Sequence, residues 1–358
     1  MKKAEQPFNT FPYARPTPKS GGIIGNGRIR IVFIPKGISH IMALLLFNGP
    51  TTDPNFFYHS HLDIDHSFLL IDGKKKTLFV SLMNEAIARS RFSGRGKIVI
   101  YADAMKTIAP FVRRKTVGID ASAMSASMAA SLGKICHVQD RSGELSSMRR
   151  AKRPDEVSDI RRAVRITKEI LDSLDVKGAK YESDLHKQLL MQTLERGLEP
   201  AFEPIVSTDG NTSYPHYHSS KKKIGSLVMI DYGVRYNHYC SDLTRCFILD
   251  QDRKKKEQYE RLQDICFFIT DSLPDLKCGK DAAKLALDLI AKAGFPKPIH
   301  SIGHGIGLEV HEYPRLGMKS EDPLAGAAMA IEPAFYLSRY GMRYEETVYN
   351  DGRKARVL

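Results

Sequence analysis

No uninterrupted apolar run in this chain approaches the ~20 residues that a membrane-spanning helix needs, so no membrane association is expected. The N-terminus, MKKAEQPFNTFPYARPTPKSGG, is basic but lacks the apolar stretch of a secretory signal. Its Pro, Thr, Ser and Gly content reads as a flexible arm over residues 1–22. No CxxC pair occurs among Cys136, Cys240, Cys246, Cys266 and Cys278. An odd, scattered set of thiols does not make a disulfide framework, and a reduced, cytoplasmic setting is expected. GxSxG is absent and no cysteine stands in a nucleophile setting, which leaves acyl-enzyme chemistry without a nucleophile. GGIIGNG (21–27) precedes a strand instead of joining a strand to a helix, so the dinucleotide fingerprint fails and the segment reads as a turn. HSHLDIDH (59–66) carries Ile64 where a metal motif of that form needs histidine, which leaves a polar loop.

What is present fits a soluble globular protein. The 358 residues are 42% hydrophobic and 27% charged, a length that one core rarely serves, so two domains are expected. The formal net charge is +13, with lysine runs at 74–76, 221–223 and 254–256. None of these runs is interleaved with aromatics as a base-stacking platform would be. They read as solvated surface, and no nucleic-acid partner is expected.

Along the chain, RIRIVFI (28–34), IMALLLF (41–47), FLLI (68–71), TLFV (77–80), KIVIY (97–101) and TVGI (116–119) have strand composition. ASAMSASMAASL (121–132) reads as a small helix. This predicts an α/β domain over residues 23–148. Pro154 followed by Asp155 and Glu156 suits a helix start, and Val157, Ile160, Val164, Leu171 and Leu174 keep the helical period. A second domain, 149–358, begins near this point.

That second part has a weak internal repeat. Helices expected at 157–174 and from Ser183 to the stop at Gly197 are matched by helices at 254–273 and from Asp281 to Gly294. Each pair is followed by a histidine-bearing loop and then by strands carrying carboxylates. Two similar halves facing one another, with a site between them, would account for this pattern.

The carboxylates carry the chemistry. LVMIDYG (227–233) is a buried-strand composition that ends on Asp231, and Asp242 lies near the start of the next strand. If RYNH (235–238) is a four-residue hairpin loop, the two aspartates fall opposite each other with Cβ atoms about 5 Å apart. Acids that close repel unless cations lie between them. Glu332 follows the apolar run AAMAI, and alternation in MRYEETVYN puts Arg343 and Glu345 on one face and Tyr344 and Glu346 on the other. His304 stands between two glycines in IGHGIGLEVHE (302–312). Four carboxylates balance two divalent cations, and one imidazole with hard oxygens favours Mn or Co, with Fe or Zn as further options.

The residues DYGVRYNHYCSDLTRCF, GHGIGLEVHE, AIEPAFY and MRYEETV together resemble the successive metal-site motifs of the M24 metallopeptidases, in order over about residues 150–358. The resemblance implies a pita-bread catalytic domain with an internal pseudo-two-fold, an α/β (α+β) architecture preceded by a smaller creatinase-type N-terminal domain. It points to the proline-specific branch: a proline dipeptidase or Xaa-Pro aminopeptidase acting on a proline-containing peptide through a metal-bridging hydroxide. By that resemblance Asp231 chelates one metal, Asp242 and Glu345 bridge both, and His304 and Glu332 bind the second. Glu332 also handles a proton. His216 and His311 assist at the substrate, with His218 as the competitor of His216, and His300 and Arg343 flank the ligands. Relatives of this kind are commonly homodimers. The family often has R-I-E-D where this chain has RYEE, so Glu346 replaces an aspartate beside a ligand. The alternatives are a silent scaffold that binds protein or nucleic acid, a creatinase-like enzyme without metal, and a methionine aminopeptidase-like enzyme. Methionine aminopeptidases usually have glutamine in place of Arg343 and lack the N-terminal domain.

Overall fold

The computed structural model of the chain describes residues 43–92 and 94–358. The arm, the glycine-rich turn, the strand expected at 28–34 and the first two residues of IMALLLF lie outside the described residues. The first part described is a mixed sheet built from β1 (Ala43–Asn48), β2 (Ser67–Asp72), β3 (Lys75–Ser81), β4 (Lys97–Tyr101), β5 (Thr116–Ile119) and β6 (His137–Asp140). Its order is β4-β3-β2-β1-β5-β6, with antiparallel β1, β2 and β3 in the middle and parallel pairs at both sides. Helices α1 (Pro54–Ser60), α2 (Glu85–Phe92), α3 (Ala104–Val112), α4 (Ala126–Gly133) and α5 (Ser142–Met148) complete it.

The strands read as continuous apolar runs because both faces of the sheet are covered. Leu45, Phe68, Leu70 and Phe79 enter one core, while Leu46, Leu69, Leu78 and Val80 enter another on the opposite face. Ile64, the residue that spoils the HxHxDH pattern, is buried in the second of these cores. The helix expected from Ala121 begins five residues later, at Ala126. Asp120 accepts from the Ser122 amide at 2.9 Å and holds residues 121–124 in a turn, and Ser125 then caps the helix. Local side-chain to backbone bonding defeats the helical composition there.

The remainder begins with α6 (Pro154–Asp172) and α7 (Glu182–Glu195). It continues with β7 (Glu199–Pro200), β8 (Ile205–Thr208), β9 (Leu227–Tyr232), β10 (Val234–Tyr236), β11 (Tyr239–Cys240) and β12 (Leu243–Ile248). The chain then forms α8 (Arg253–Ser272) and α9 (Gly279–Lys292). Strands β13 (Gly303–Gly305), β14 (Glu312–Arg315), β15 (Ala327–Ile331), β16 (Ala334–Tyr336), β17 (Gly341–Arg343), β18 (Glu346–Asn350) and β19 (Ala355–Val357) end it. Val157, Ile160, Val164 and Leu171 of α6 are buried as their spacing predicts, and Glu156 caps the helix by accepting from the Arg153 amide at 2.7 Å. Gly197 and Gly294 stop their helices with φ of 67° and 77°.

Each helix pair packs on its own strands. One core joins α6 and α7 to β8 through β12; the other joins α8 and α9 to β12, β15, β17 and β18. The repeat read from sequence is therefore a repeat of helix pair plus sheet. The two sheets meet at Asp242 and Thr347, whose backbone and hydroxyl exchange hydrogen bonds of 3.2 and 2.8 Å.

The segment leading into α6 is tied to the strand that follows His311. Glu312, with its side chain 1% exposed, takes Lys152 at 2.8 Å and lies 3.4 Å from Arg149, and both cations are equally buried. Glu312→Gln removes the charge but keeps the shape, which leaves Lys152 buried without a counterion. We expect a loss of about 3 kcal/mol of stability, the usual cost of breaking a buried pair from one side. Urea denaturation reads it: a midpoint within error of wild type would show that the pair contributes nothing.

Candidate metal centre

Strands β9 and β12 pair antiparallel with Asp231 opposite Thr244, and β10 and β11 continue the ladder with Tyr236 opposite Tyr239. The connection is thus two residues, Asn237 and His238, at φ of 47° and 71°, the geometry of a tight type I′ turn. The four-residue loop is corrected to two, and Asp242 is not directly opposite Asp231. The shift is two positions, and side chains alternate with period two. Both aspartates therefore stay on the same face, as diagonal neighbours, and both line one cavity.

His304 is the middle residue of β13, flanked by β14 and β15. The reason for its two glycines is steric. A Cβ on Gly303 would lie 2.2 Å from the Ala330 carbonyl oxygen, and one on Gly305 would lie 2.2 Å from that of Tyr313. Both neighbouring strands press on the backbone here, and only glycine admits them. Gly305→Ala must push β14 and its histidine-bearing loop away. We expect a loss of about 2 kcal/mol of stability, typical of overpacking, together with weakened divalent-cation affinity. Thermal melting with and without Mn checks this; an unchanged cation-induced shift would mean that the glycine serves the sheet alone.

The Nδ1 atom of His304 lies 3.1 Å from the Gly305 carbonyl. A carbonyl only accepts, so Nδ1 carries the proton and Nε2 offers a lone pair. That lone pair faces acids: Asp242 Oδ2 at 3.5 Å and Glu332 Oε1 at 3.9 Å. Asp242, His304 and Glu345 can each offer a ligand atom such that all lie within 4.8 Å of one another, the one such group among the described residues. Oδ1 of Asp231 and Oδ1 of Asp242 are buried and have no hydrogen-bond partner. Carboxylate oxygens left without donors beside an imidazole lone pair are the chemistry of a cation site. Asp231, Asp242, Glu332 and Glu345 with His304 fit divalent metal ions.

The electrostatics agree. Burial, then the charges of Glu345, Asp231 and Glu332, hold the Asp242 carboxyl well above the carboxylate range. Burial and Glu345 do the same to Glu332. Glu345 is pushed up to about 7 by burial and by Asp231. Burial drives His304 down to about 3 and His300 to about 4, so both stay neutral and able to bind or donate. The buried guanidinium of Arg343 faces the acids and pairs with Asp231 at 2.5 Å.

The cavity, about 460 Å³, is lined by all nine residues read from sequence: Asp231, Asp242, His304, Glu332, Glu345, His216, His311, His300 and Arg343. His218 lines it too. The charge of His216 bears on both His300 and His311, which sets it among the other imidazoles. His311 packs against His304 with ring centres 4.3 Å apart. None of residues 55–61 lines the cavity; Phe57 instead packs on His238. As alternation predicts, Tyr344 and Glu346 share the other face: the Tyr344 hydroxyl donates to Glu346 at 2.8 Å, and Glu346 also takes Arg245 and Lys168.

Two residues outside the sequence-based set hold the site together. Thr244 donates to Glu345 Oε2 at 2.6 Å and accepts from Arg343 Nε at 2.8 Å. Tyr336 joins His300 at 2.8 Å to Arg343 at 3.3 Å through its hydroxyl. The signal for Thr244 is its place two residues after Asp242, on the same face.

Comparison with known proteins gives one consistent picture. The pattern of metallopeptidase family M24 matches residues 158–350. The Xaa-Pro dipeptidase of Pyrococcus furiosus is 27% identical over 307 residues, 82% of this chain and 87% of that protein. A putative Xaa-Pro aminopeptidase of Mycoplasma genitalium is 25% identical over 311 residues, 83% and 87% of the two chains. Among solved structures, the prolidase from Pyrococcus furiosus superposes with a TM-score of 0.79 at 26% identity, over 88% of this chain and 96% of that one.

Proposed function

The chain belongs to metallopeptidase family M24, and from that premise we propose that it hydrolyses the bond preceding proline in small peptides, as a proline dipeptidase or Xaa-Pro aminopeptidase. The observation that carries this reading is the convergence of Asp242, His304 and Glu345, with Asp231 and Glu332 beside them, in one cavity. Two divalent cations are the proposed cofactor, Mn or Co before Fe or Zn. Asp231, Asp242, His304, Glu332 and Glu345 would hold them. The reading also divides the chain near residue 149 and expects a cytoplasmic homodimer. All five cysteines are buried and unpaired, and no helix among the described residues is long and apolar enough to cross a membrane.

When bound, the cations would polarise the substrate carbonyl and supply an activated water. Glu332, buried beside His300, is placed to take a proton from the attacking water. His311 and His216 line the same cavity as uncommitted imidazoles that can donate at the developing oxyanion and the leaving nitrogen. Proline makes that nitrogen a tertiary amide without N–H, so a peptidase for it must rely on donors aimed at other atoms. Arg343, fixed through Thr244, Tyr336 and Asp231, orients the carboxylate it pairs with.

The retained set of five metal-binding side chains disfavours a silent scaffold or a creatinase-like enzyme. Arg343 and the N-terminal sheet disfavour a methionine aminopeptidase-like one. The deciding experiment strips metal with a chelator, adds back Mn or Co, and supplies a Xaa-Pro dipeptide and a Xaa-Pro-Xaa tripeptide. Cation-dependent cleavage of at least one is expected, and their ratio separates dipeptidase from aminopeptidase. Cleavage of neither would end the proposal.

A further inference from the structure

The five metal-binding side chains lie in strands or directly beside their ends, but His216 does not. With Tyr217 and His218 it lines the cavity from the long connection between β8 and β9. Side chains on such a segment are less precisely placed than those on a sheet, unless something else holds the segment. Here the holding comes from α7, although no residue of α7 lines the cavity itself.

Glu182, at the start of α7, is fully buried. Four donors meet its two oxygens. The Thr208 amide and the Asn211 side chain each donate to Oε1 at 2.9 Å, and the Ser220 amide and hydroxyl donate to Oε2 at 3.1 and 2.8 Å. A buried carboxylate is costly unless it is satisfied in this way, and all of these partners belong to the connection or to the residue that opens it. The second proton of the Asn211 amide goes to the Tyr217 hydroxyl at 2.8 Å, which donates in turn to Ser220 Oγ at 3.0 Å. Tyr217, Ser220 and Glu182 thus form a chain of donors that ends on an acceptor-only group. One turn further along the same face of α7, His186 makes a second tie. Its Nε2 lies 3.1 Å from Glu203 Oε1 and its Nδ1 lies 3.3 Å from Ser219 Oγ. A carboxylate only accepts, so Nε2 carries the proton. Glu203 lines the cavity as well, so one ring joins the two segments, 202–205 and 215–218, that line it.

We propose that Glu182 and His186 are positioning residues, which together fix the connection so that His216 meets the substrate in one place. The inference rests on the peptidase reading, in which His216 donates where charge develops. A donor for that task has to be in place before the reaction begins. A loosened connection would present it only part of the time, lowering kcat without touching the metal ligands. Glutamine at position 182 matches glutamate in size but not in polarity. Whichever way its amide turns, its NH2 group meets a backbone N–H, that of Thr208 or that of Ser220. Aspartate is shorter, yet it still offers oxygens alone.

The test compares Glu182→Gln, Glu182→Asp and His186→Ala with wild type, all loaded with Mn and assayed well below their melting temperatures. Glu182→Gln should lose kcat on a Xaa-Pro peptide by about tenfold or more. Its KM should stay within about threefold of wild type, and its Mn-induced rise in melting temperature should equal that of wild type. Glu182→Asp should keep more of kcat than Glu182→Gln, an order that side-chain size alone would reverse. His186→Ala, at a partly buried position, should lose kcat severalfold and gives a reading even where Glu182→Gln does not fold. A further readout needs no activity. The KKK run at 221–223 is exposed on the same connection, and trypsin should cut there faster in Glu182→Gln and His186→Ala than in wild type, with the fragments identified by mass spectrometry. Wild-type kcat in both of these variants, loss of the Mn-induced shift in step with kcat, glutamine outperforming aspartate, or unchanged trypsin cleavage would each overturn the inference. A wild-type protein that cleaves no Xaa-Pro peptide ends the peptidase reading instead, and the trypsin arm still judges whether α7 holds the connection.

Discussion

Changing Asp242 to asparagine is expected to lower kcat/KM for a Xaa-Pro substrate by about three orders of magnitude or more. Asparagine is the same size, so packing is kept. What goes is one negative ligand at the point where both halves converge, where Asp242 faces His304 at 3.5 Å and is coupled to Glu345, Asp231 and Glu332. A cation's stabilisation of developing charge amounts to several kcal/mol. Losing about 4 kcal/mol of it corresponds to roughly a thousandfold in rate. The same change relieves repulsion in the metal-free protein, so its melting temperature should rise by a few degrees, at about 2–4 °C per kcal/mol for a chain this large. Lost activity together with gained apo stability separates a ligand role from damage to the fold. A variant retaining a tenth of wild-type activity under saturating Mn would remove Asp242 from the metal centre.

The second large effect is a reversal of pH dependence on removing metal. In the metal-free protein the carboxyls of Asp242, Glu332 and Glu345 titrate above their usual range, Glu345 at about 7. Between the unfolded carboxylate value and that point the folded chain binds more protons than the unfolded one. Stability therefore falls as pH rises through this window. For Glu345 alone, moving from 4.5 to about 7 corresponds to about 3 kcal/mol, fully present below the unfolded value and lost above the folded one. Divalent cations replace those protons, so the loaded protein escapes the loss. Melting curves at pH 5.5 and pH 8, with chelator and with Mn, should show the gap between loaded and stripped protein widening at the higher pH. A constant gap, or none, would mean that these acids neither repel one another nor meet a cation.

Much of this arrangement was legible because catalytic acids at strand ends leave a local mark. Asp231 and Glu332 each follow an apolar strand, and MRYEETV alternates as a strand must, so faces could be assigned before distances were known. The hairpin was misjudged because a tight two-residue turn needs two positive φ values, and His238 does not advertise one as glycine would. The error did no harm to the site, since a shift of two residues preserves the face. The reason for the glycines beside His304 was not legible, because it lies in contacts with the Ala330 and Tyr313 carbonyls of neighbouring strands.

The buried Lys152–Glu312 pair has a mechanical consequence. Connectors between an N-terminal sheet and a following helical body are ordinary places for a protein to flex. Here the connector is riveted, through Arg149 and Lys152, to the strand that begins one residue after His311. Swinging open at this joint would strand two cations and a carboxylate in an apolar setting, so the joint behaves as a weld. The same rivet ties the residue after His311, which lines the cavity, to the chain entering α6.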